Sequence, residues 1–153
     1  MNEFEQYKEY LQQNSDFVAK WKKNVEKILT RKQLSSIMND TKWLELQKAV
    51  ASLPFPPPYI CKRITDENSE RIGQLEDAPR YVGDWSSFWE EGLPLFFDIE
   101  WLKVRPRKGI CRGRLIADEI LDETEEFIAI LEKYSIPYEN ENENRTITIY
   151  GYR

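Results

Sequence analysis

Leu95-Phe96-Phe97-Asp98-Ile99-Glu100-Trp101-Leu102-Lys103-Val104 is the strongest strand signal in the chain, and the fold is read outward from it. An extended segment sends alternate side chains to opposite faces. Its odd positions, Leu95, Phe97, Ile99 and Trp101, make one apolar face, while Phe96, Asp98, Glu100 and Leu102 make a mixed one.

Towards the N terminus, Asp84 reads as the cap of a brief helix through Trp85, Phe88 and Trp89, which Gly92 ends. Arg80-Tyr81-Val82 reads as a short strand, Thr65 to Asp77 as a polar loop, and Tyr59 to Ile64 as a first strand. Phe55-Pro56-Pro57-Pro58 is a stiff connector, since each proline fixes φ and lacks a backbone donor. A ligand for a polyproline-binding domain is the sharper reading of these prolines, but a helix-to-strand transition explains them without a partner.

Before the prolines the apolar period is helical. Phe4, Tyr7, Tyr10 and Leu11 form one stripe, and Phe17, Val18, Trp21, Val25, Ile28 and Leu29 form a second after the capping cluster Asn14-Ser15-Asp16. Asn39-Asp40-Thr41 caps a third helix, with Trp43, Leu46, Val50 and Leu53 inside and Pro54 as its stop. Three helices are therefore expected before residue 55.

Beyond the central stretch, Asp122-Glu123-Thr124-Glu125 matches a capping box, and the helix it opens buries Phe127, Ile128, Leu131 and Tyr134. Ser135-Ile136-Pro137 ends that helix. A hairpin then closes the chain through a polar turn at Asn140 to Asn144, with Ile147 and Ile149 facing inward. Clean βαβ alternation is missing. The expected fold is α+β in one domain, 1–153: a helical part, 1–54, followed by a sheet-containing part, 55–153, whose antiparallel or mixed sheet carries one further helix.

At 153 residues, with 41% hydrophobic and 13% aromatic side chains, the chain is long enough to bury a core without covalent staples. Only Cys61 and Cys111 are present, which implies no disulfide framework, and a cytoplasmic address is the simplest expectation. The acidic start Met1-Asn2-Glu3-Phe4-Glu5 does not read as a secretory signal, and no apolar run approaches a bilayer span. A net charge of −5 disfavours nucleic acid and anionic membrane as general partners and suits a basic protein.

The chain has no histidine, which removes Ser-His-Asp and Cys-His catalysis and histidine-containing zinc sites. Neither a phosphate loop nor a dinucleotide fingerprint occurs among the six glycines. No cofactor and no metal is called for. Three constellations remain.

Asp98 and Glu100, two apart on a strand, fall on one face roughly 7 Å apart, a spacing suited to a hydrated cation or an acid and base. Pairing with arginines on a partly solvated face is the plainer reading. An Asp, Glu-x-Lys nuclease pattern fails, because Lys103 follows Glu100 by three and falls on the wrong side.

Lys103, Arg105, Arg107, Lys108, Arg112 and Arg114 form a basic run with Pro106, Gly109 and Gly113, suggesting a turn or hairpin tip. It could grip phosphate, RNA or an acidic patch, or neutralise Asp118, Glu119 and the acids at 139–143. Finally, Tyr81, Trp85, Phe88 and Trp89 are aromatics suited either to an interface or to the core.

The segments Phe96 to Trp101, Arg114-Leu115, Ile136-Pro137-Tyr138 and Tyr150-Gly151-Tyr152 resemble those of small bacterial proteins grouped as a domain of unknown function. The resemblance covers residues 81–153 and carries no catalytic motif, so it assigns no role to any residue. The expected function is a non-enzymatic protein-binding domain, in its sharpest form an immunity- or antitoxin-type inhibitor of a basic bacterial toxin. Its binding surface would draw on Trp85, Trp89, Asp98 and Glu100. The alternative is a small enzyme or ligand-binding domain, with Asp98 and Glu100 facing a pocket lined by Arg105, Arg112 or Tyr150. RNA binding through residues 103–114, Arg105, Arg107 and Arg112 above all, is a third reading.

Overall fold

A computed structural model describes residues 2–66, 74–87, 92–141, 143 and 145–153. The expected helices open the chain: α1 (Glu3–Gln13), α2 (Ser15–Lys32) and α3 (Asp40–Val50). Asn2 and Glu5 form a reciprocal capping box on α1, each side chain meeting the other's backbone N–H. Asn39 caps α3 by accepting from the Lys42 N–H at 2.8 Å. At the start of α2 the Asn14 side chain instead donates back to the Tyr10 carbonyl, so the cluster at 14–16 provides no side-chain cap. Of the second stripe, Val18, Val25 and Ile28 are buried; Phe17 is exposed and packs edge-on to Trp21.

The proline segment is built into the fold. Pro56, Pro57 and Pro58 each lend a carbonyl, to the Gly83 N–H, the Trp85 indole and the Arg105 N–H. Chain held this way cannot also lie in a partner's groove.

The sheet follows: β1 (Tyr59–Arg63), β2 (Ile99–Val104), β5 (Glu139–Glu141) and β6 (Thr146–Tyr150), ordered β1-β2-β6-β5 with every pair antiparallel. The central stretch is corrected here. Phe96–Asp98 is a turn of 3₁₀ helix, so the strand begins only at Ile99. That turn breaks the alternation. The core therefore takes the even positions Leu102 and Val104, together with Ile99, Leu95 and Phe96, while Trp101 is half-buried on the other face with the Lys103 Nζ 5.0 Å from its ring centre.

Leu102, Val104, Ile147 and Ile149 share one core with Trp43, Leu46 and Val50 of α3 and with Phe127 and Leu131 of α4 (Thr124–Lys133). The register Leu102↔Ile149 and Val104↔Ile147 puts these four on one face of the sheet. The fold is α+β, as the order of elements predicts.

Two local expectations fail. Residues 80–82 form no strand. The capping box at 122–125 does not form either: Asp122 belongs to a strand, its carboxylate accepts from the Thr124 N–H, and Glu123 at the helix start makes no side-chain cap. Phe88 and Trp89 lie outside the described residues.

The basic run becomes a separate two-stranded arm. Here β3 (Arg107–Ile110) pairs antiparallel with β4 (Glu119–Asp122), and residues 111–118 form the tip.

Candidate protein-binding surface

Asp98 is fully buried and its carboxylate is already engaged. It accepts from the Trp21 indole at 3.0 Å, the Thr65 N–H at 3.1 Å and the Thr65 hydroxyl at 2.8 Å. Burial pushes this carboxyl above its ordinary range, and the hydrogen bonds from Thr65 and Trp21 oppose the shift. Glu100 meets different partners, with the Lys62 ammonium at 2.9 Å and that of Lys32 at 3.9 Å. The strand-spacing argument for a carboxylate pair lapses because Asp98 sits in the 3₁₀ turn. What the structure places here is a polar junction that ties α2 and the end of β1 to β2.

Three of the six side chains in the basic run are neutralised from within, Lys103 by one of the acids expected at 139–143 and Arg105 and Arg107 by acids that were not. Asp77 is the hub. Arg145 meets it at 2.6 Å, Arg107 at 3.6 Å and Arg105 at 4.0 Å. Arg107 also reaches Asp122 at 3.0 Å, and the buried Arg105 donates to the Thr146 hydroxyl at 2.7 Å. Arg112 closes its own loop by donating to the Ala117 carbonyl from two nitrogens. Asp118 is held bidentately by Arg80, and Lys103 pairs with Glu141.

Tyr150 lies beneath the Arg153 guanidinium, 4.7 Å from its ring centre. Trp85 is a core residue rather than a surface one: it is buried, bonded to the Pro57 carbonyl at 2.9 Å, and packed against Tyr59 and Phe127. Of the proposed aromatic anchors, then, Trp85 is inside and Trp89 lies outside the described residues.

A polar cleft of about 580 Å³ opens beside the start of α4, lined by Arg107, Arg145, Asp122, Glu125, Glu126 and Glu143 among others. Both arginines are already paired, and acids outnumber them, so it is not built for an anion. Among the described residues, no group of three or more His, Cys, Asp or Glu is arranged to hold a metal ion. No helix among them is long and apolar enough to cross a membrane.

What sequence reasoning missed on the arm is its set of exposed aliphatic side chains. Leu115 is 99% exposed, Ile116 56%, Ile120 47% and Leu121 38%. Neighbouring strand residues face opposite ways, so exposure of both Ile120 and Leu121 means that neither face of β4 is covered. Tyr81 and Val82 are exposed in the segment preceding Trp85, and the neighbouring Pro79 carbonyl accepts from the Gly109 N–H of β3 at 2.9 Å. Scattered single apolar residues need no explanation, whereas a group gathered on one projection is a candidate interaction site.

Around these side chains lie Lys108, Arg112 and Arg114, none of which forms an ion pair among the described residues. One signal was legible. Leu115-Ile116 is an apolar pair directly after Arg114 and just past Gly113, whose φ of 143° turns the chain at the tip.

Among curated proteins and solved structures, none matches this chain. A family pattern does match, over residues 25–153, which reaches from α2 to the C terminus and well beyond the 81–153 of the sequence resemblance. The chain belongs to this family, described as a family of unknown function (DUF6678).

Proposed function

We propose that the chain is a non-catalytic protein-binding domain that engages its partner through the β3–β4 arm. The observation that carries this reading is the solvent exposure of Leu115, Ile116, Ile120 and Leu121 on one projection. Burying an aliphatic side chain of this size contributes roughly 1.5–3 kcal/mol. Two or three such side chains in a partner's pocket are enough to dominate an interface.

An immunity- or antitoxin-type inhibitor is one form such a domain takes, and the overall charge of −5 supports it if the partner is basic elsewhere. The small-enzyme alternative has less support. Asp98 is sealed from solvent by its three hydrogen bonds, and Glu100 is held by lysines rather than turned towards Arg105, Arg112 or Tyr150.

The test compares two baits in a lysate of the source organism: the wild-type chain and the double variant Leu115→Ser, Ile116→Ser. Because both side chains are solvent-exposed, the variant should keep its circular dichroism spectrum and lose less than about 0.5 kcal/mol of stability. The expected result is a stoichiometric protein retained by the wild type and absent from the variant. The same proteins on both baits, with the same yields, would overturn the assignment of the arm.

A further inference from the structure

We propose that the partner is bound by strand addition: an extended, acidic segment of another protein pairs with the open edge of β4. This inference deepens the reading of the arm as a protein-binding element and rests on it.

The direction of the backbone groups carries the argument. In an antiparallel pair, residues alternate between those that bond across the ladder and those whose N–H and C=O point away from it. Gly109 and Arg107 of β3 donate their N–H groups outward, to the Pro79 and Arg105 carbonyls, and the Glu123 N–H donates to the Pro106 carbonyl. The register Gly109↔Ile120 and Arg107↔Asp122 then makes Ile120 and Asp122 the β4 residues whose backbone N–H and C=O point away from β3.

One edge of the arm is thus met by the Pro79 and Arg105 carbonyls, and among the described residues the other edge meets no backbone group. Among the described residues β4 pairs with β3 alone. Edge strands are commonly blunted by proline, lysine or a bulge. Glu119-Ile120-Leu121-Asp122 has no proline or lysine, its register with β3 runs without a shift, and its charges stand only at its two ends, with Asp122 already paired to Arg107.

The side chains select the kind of strand. Ile120 and Leu121 stand on opposite faces of β4 and are both exposed, so an added strand finds an aliphatic neighbour on each side. Lys108 on β3 and Arg112 and Arg114 at the tip form no ion pair among the described residues and outnumber Glu119, the β4 acid that likewise has none, so the balance of charge around the edge favours an acidic segment.

The test uses the full chain and a capped peptide of alternating glutamate and valine, about eight residues long. Cys111 at the tip is exposed and Cys61 is half-buried, its thiol pushed up to about 12 by burial, so a maleimide fluorophore marks the tip. Strand addition predicts saturable binding of this peptide and slowed hydrogen exchange at the Ile120 and Asp122 amides. Binding should weaken about tenfold or more with lysine in place of glutamate. It should be lost when alternate peptide nitrogens are methylated, and lost in Ile120→Pro, which removes only an outward N–H and keeps the ladder to β3.

A peptide that binds equally well with methylated nitrogens would overturn strand addition, as would no binding at roughly millimolar peptide. Slowed exchange at Ile120 and Asp122 that grows with protein concentration alone would assign the edge to a second copy instead. Binding to vesicles containing phosphatidylserine, in place of the peptide, would assign the tip to a lipid surface. Any of these results leaves the assignment of the arm to the bait comparison, which stands or falls on Leu115 and Ile116.

Discussion

Glu123 joins the arm to α4, and its carboxyl is almost wholly removed from solvent. Oε2 accepts from the Phe55 N–H at 3.3 Å, while Oε1 is buried without a hydrogen-bond partner. Burial pushes this acid up to about 7; the Phe55 N–H opposes the shift, and Glu126 and Asp122 add repulsion. An acid whose folded pKa lies above its unfolded one stabilises the fold fully only below the unfolded value, near 4.5, and that contribution is lost as pH rises through about 7.

Glu123→Gln keeps an acceptor for Phe55 and cannot ionise. Chemical denaturation should find the variant more stable than the wild type by roughly 2–3 kcal/mol near pH 8, with the gap falling below about 1 kcal/mol near pH 5. A gap that stays constant with pH would show that the buried carboxyl does not titrate in this range. The sequence offers no warning of this residue. Its place in a capping-box pattern reads as a helix start, and only the packing of Phe55 against it reveals the buried acid.

At the scale of the element, β2 and β6 depend on a close approach at Gly151. A Cβ there would lie 2.0 Å from the Ile99 carbonyl oxygen and 3.5 Å from the Trp43 ring. The Gly151 N–H meets the Glu100 carbonyl at 2.8 Å, and its own carbonyl receives the Ile37 N–H, so the backbone is pinned on both sides. Gly151→Ala is expected to cost about 2–3 kcal/mol in urea denaturation by forcing the two backbones apart. A cost below about 0.5 kcal/mol would mean the strands separate freely there.

The helices were legible because their apolar spacing is long and regular, as with Val18, Val25 and Ile28. The central stretch was legible as a strand but not in its phase. Phe96-Phe97-Asp98 has the alternation of an extended segment, yet Asp98 finds three donors only if the chain turns there. Long-range hydrogen bonds of that kind leave no local pattern. The arm was legible only as a turn or hairpin tip in its basic run; the exposure of Ile120 and Leu121 depends on what fails to pack over them.

For the molecule as a whole, the chain carries −5 yet gathers a basic run on one projection. Two of its members fasten the arm's base, Arg105 and Arg107 converging with Arg145 on Asp77, while Arg80 holds Asp118. What is left facing outward is Lys108, Arg112 and Arg114 beside four exposed aliphatic side chains. On the proposed reading, the ion-paired base, the apolar tip and the strand edge of β4 make the arm the place where a partner docks.

The most direct measurement of that claim is hydrogen–deuterium exchange of the full chain, free and bound to the protein that the wild-type bait retains. The account predicts protection concentrated in residues 110–122, with the amides of α1 and α3 unchanged. Protection centred on those helices or on the outer face of the sheet, with the arm exchanging as fast as in the free chain, would contradict it.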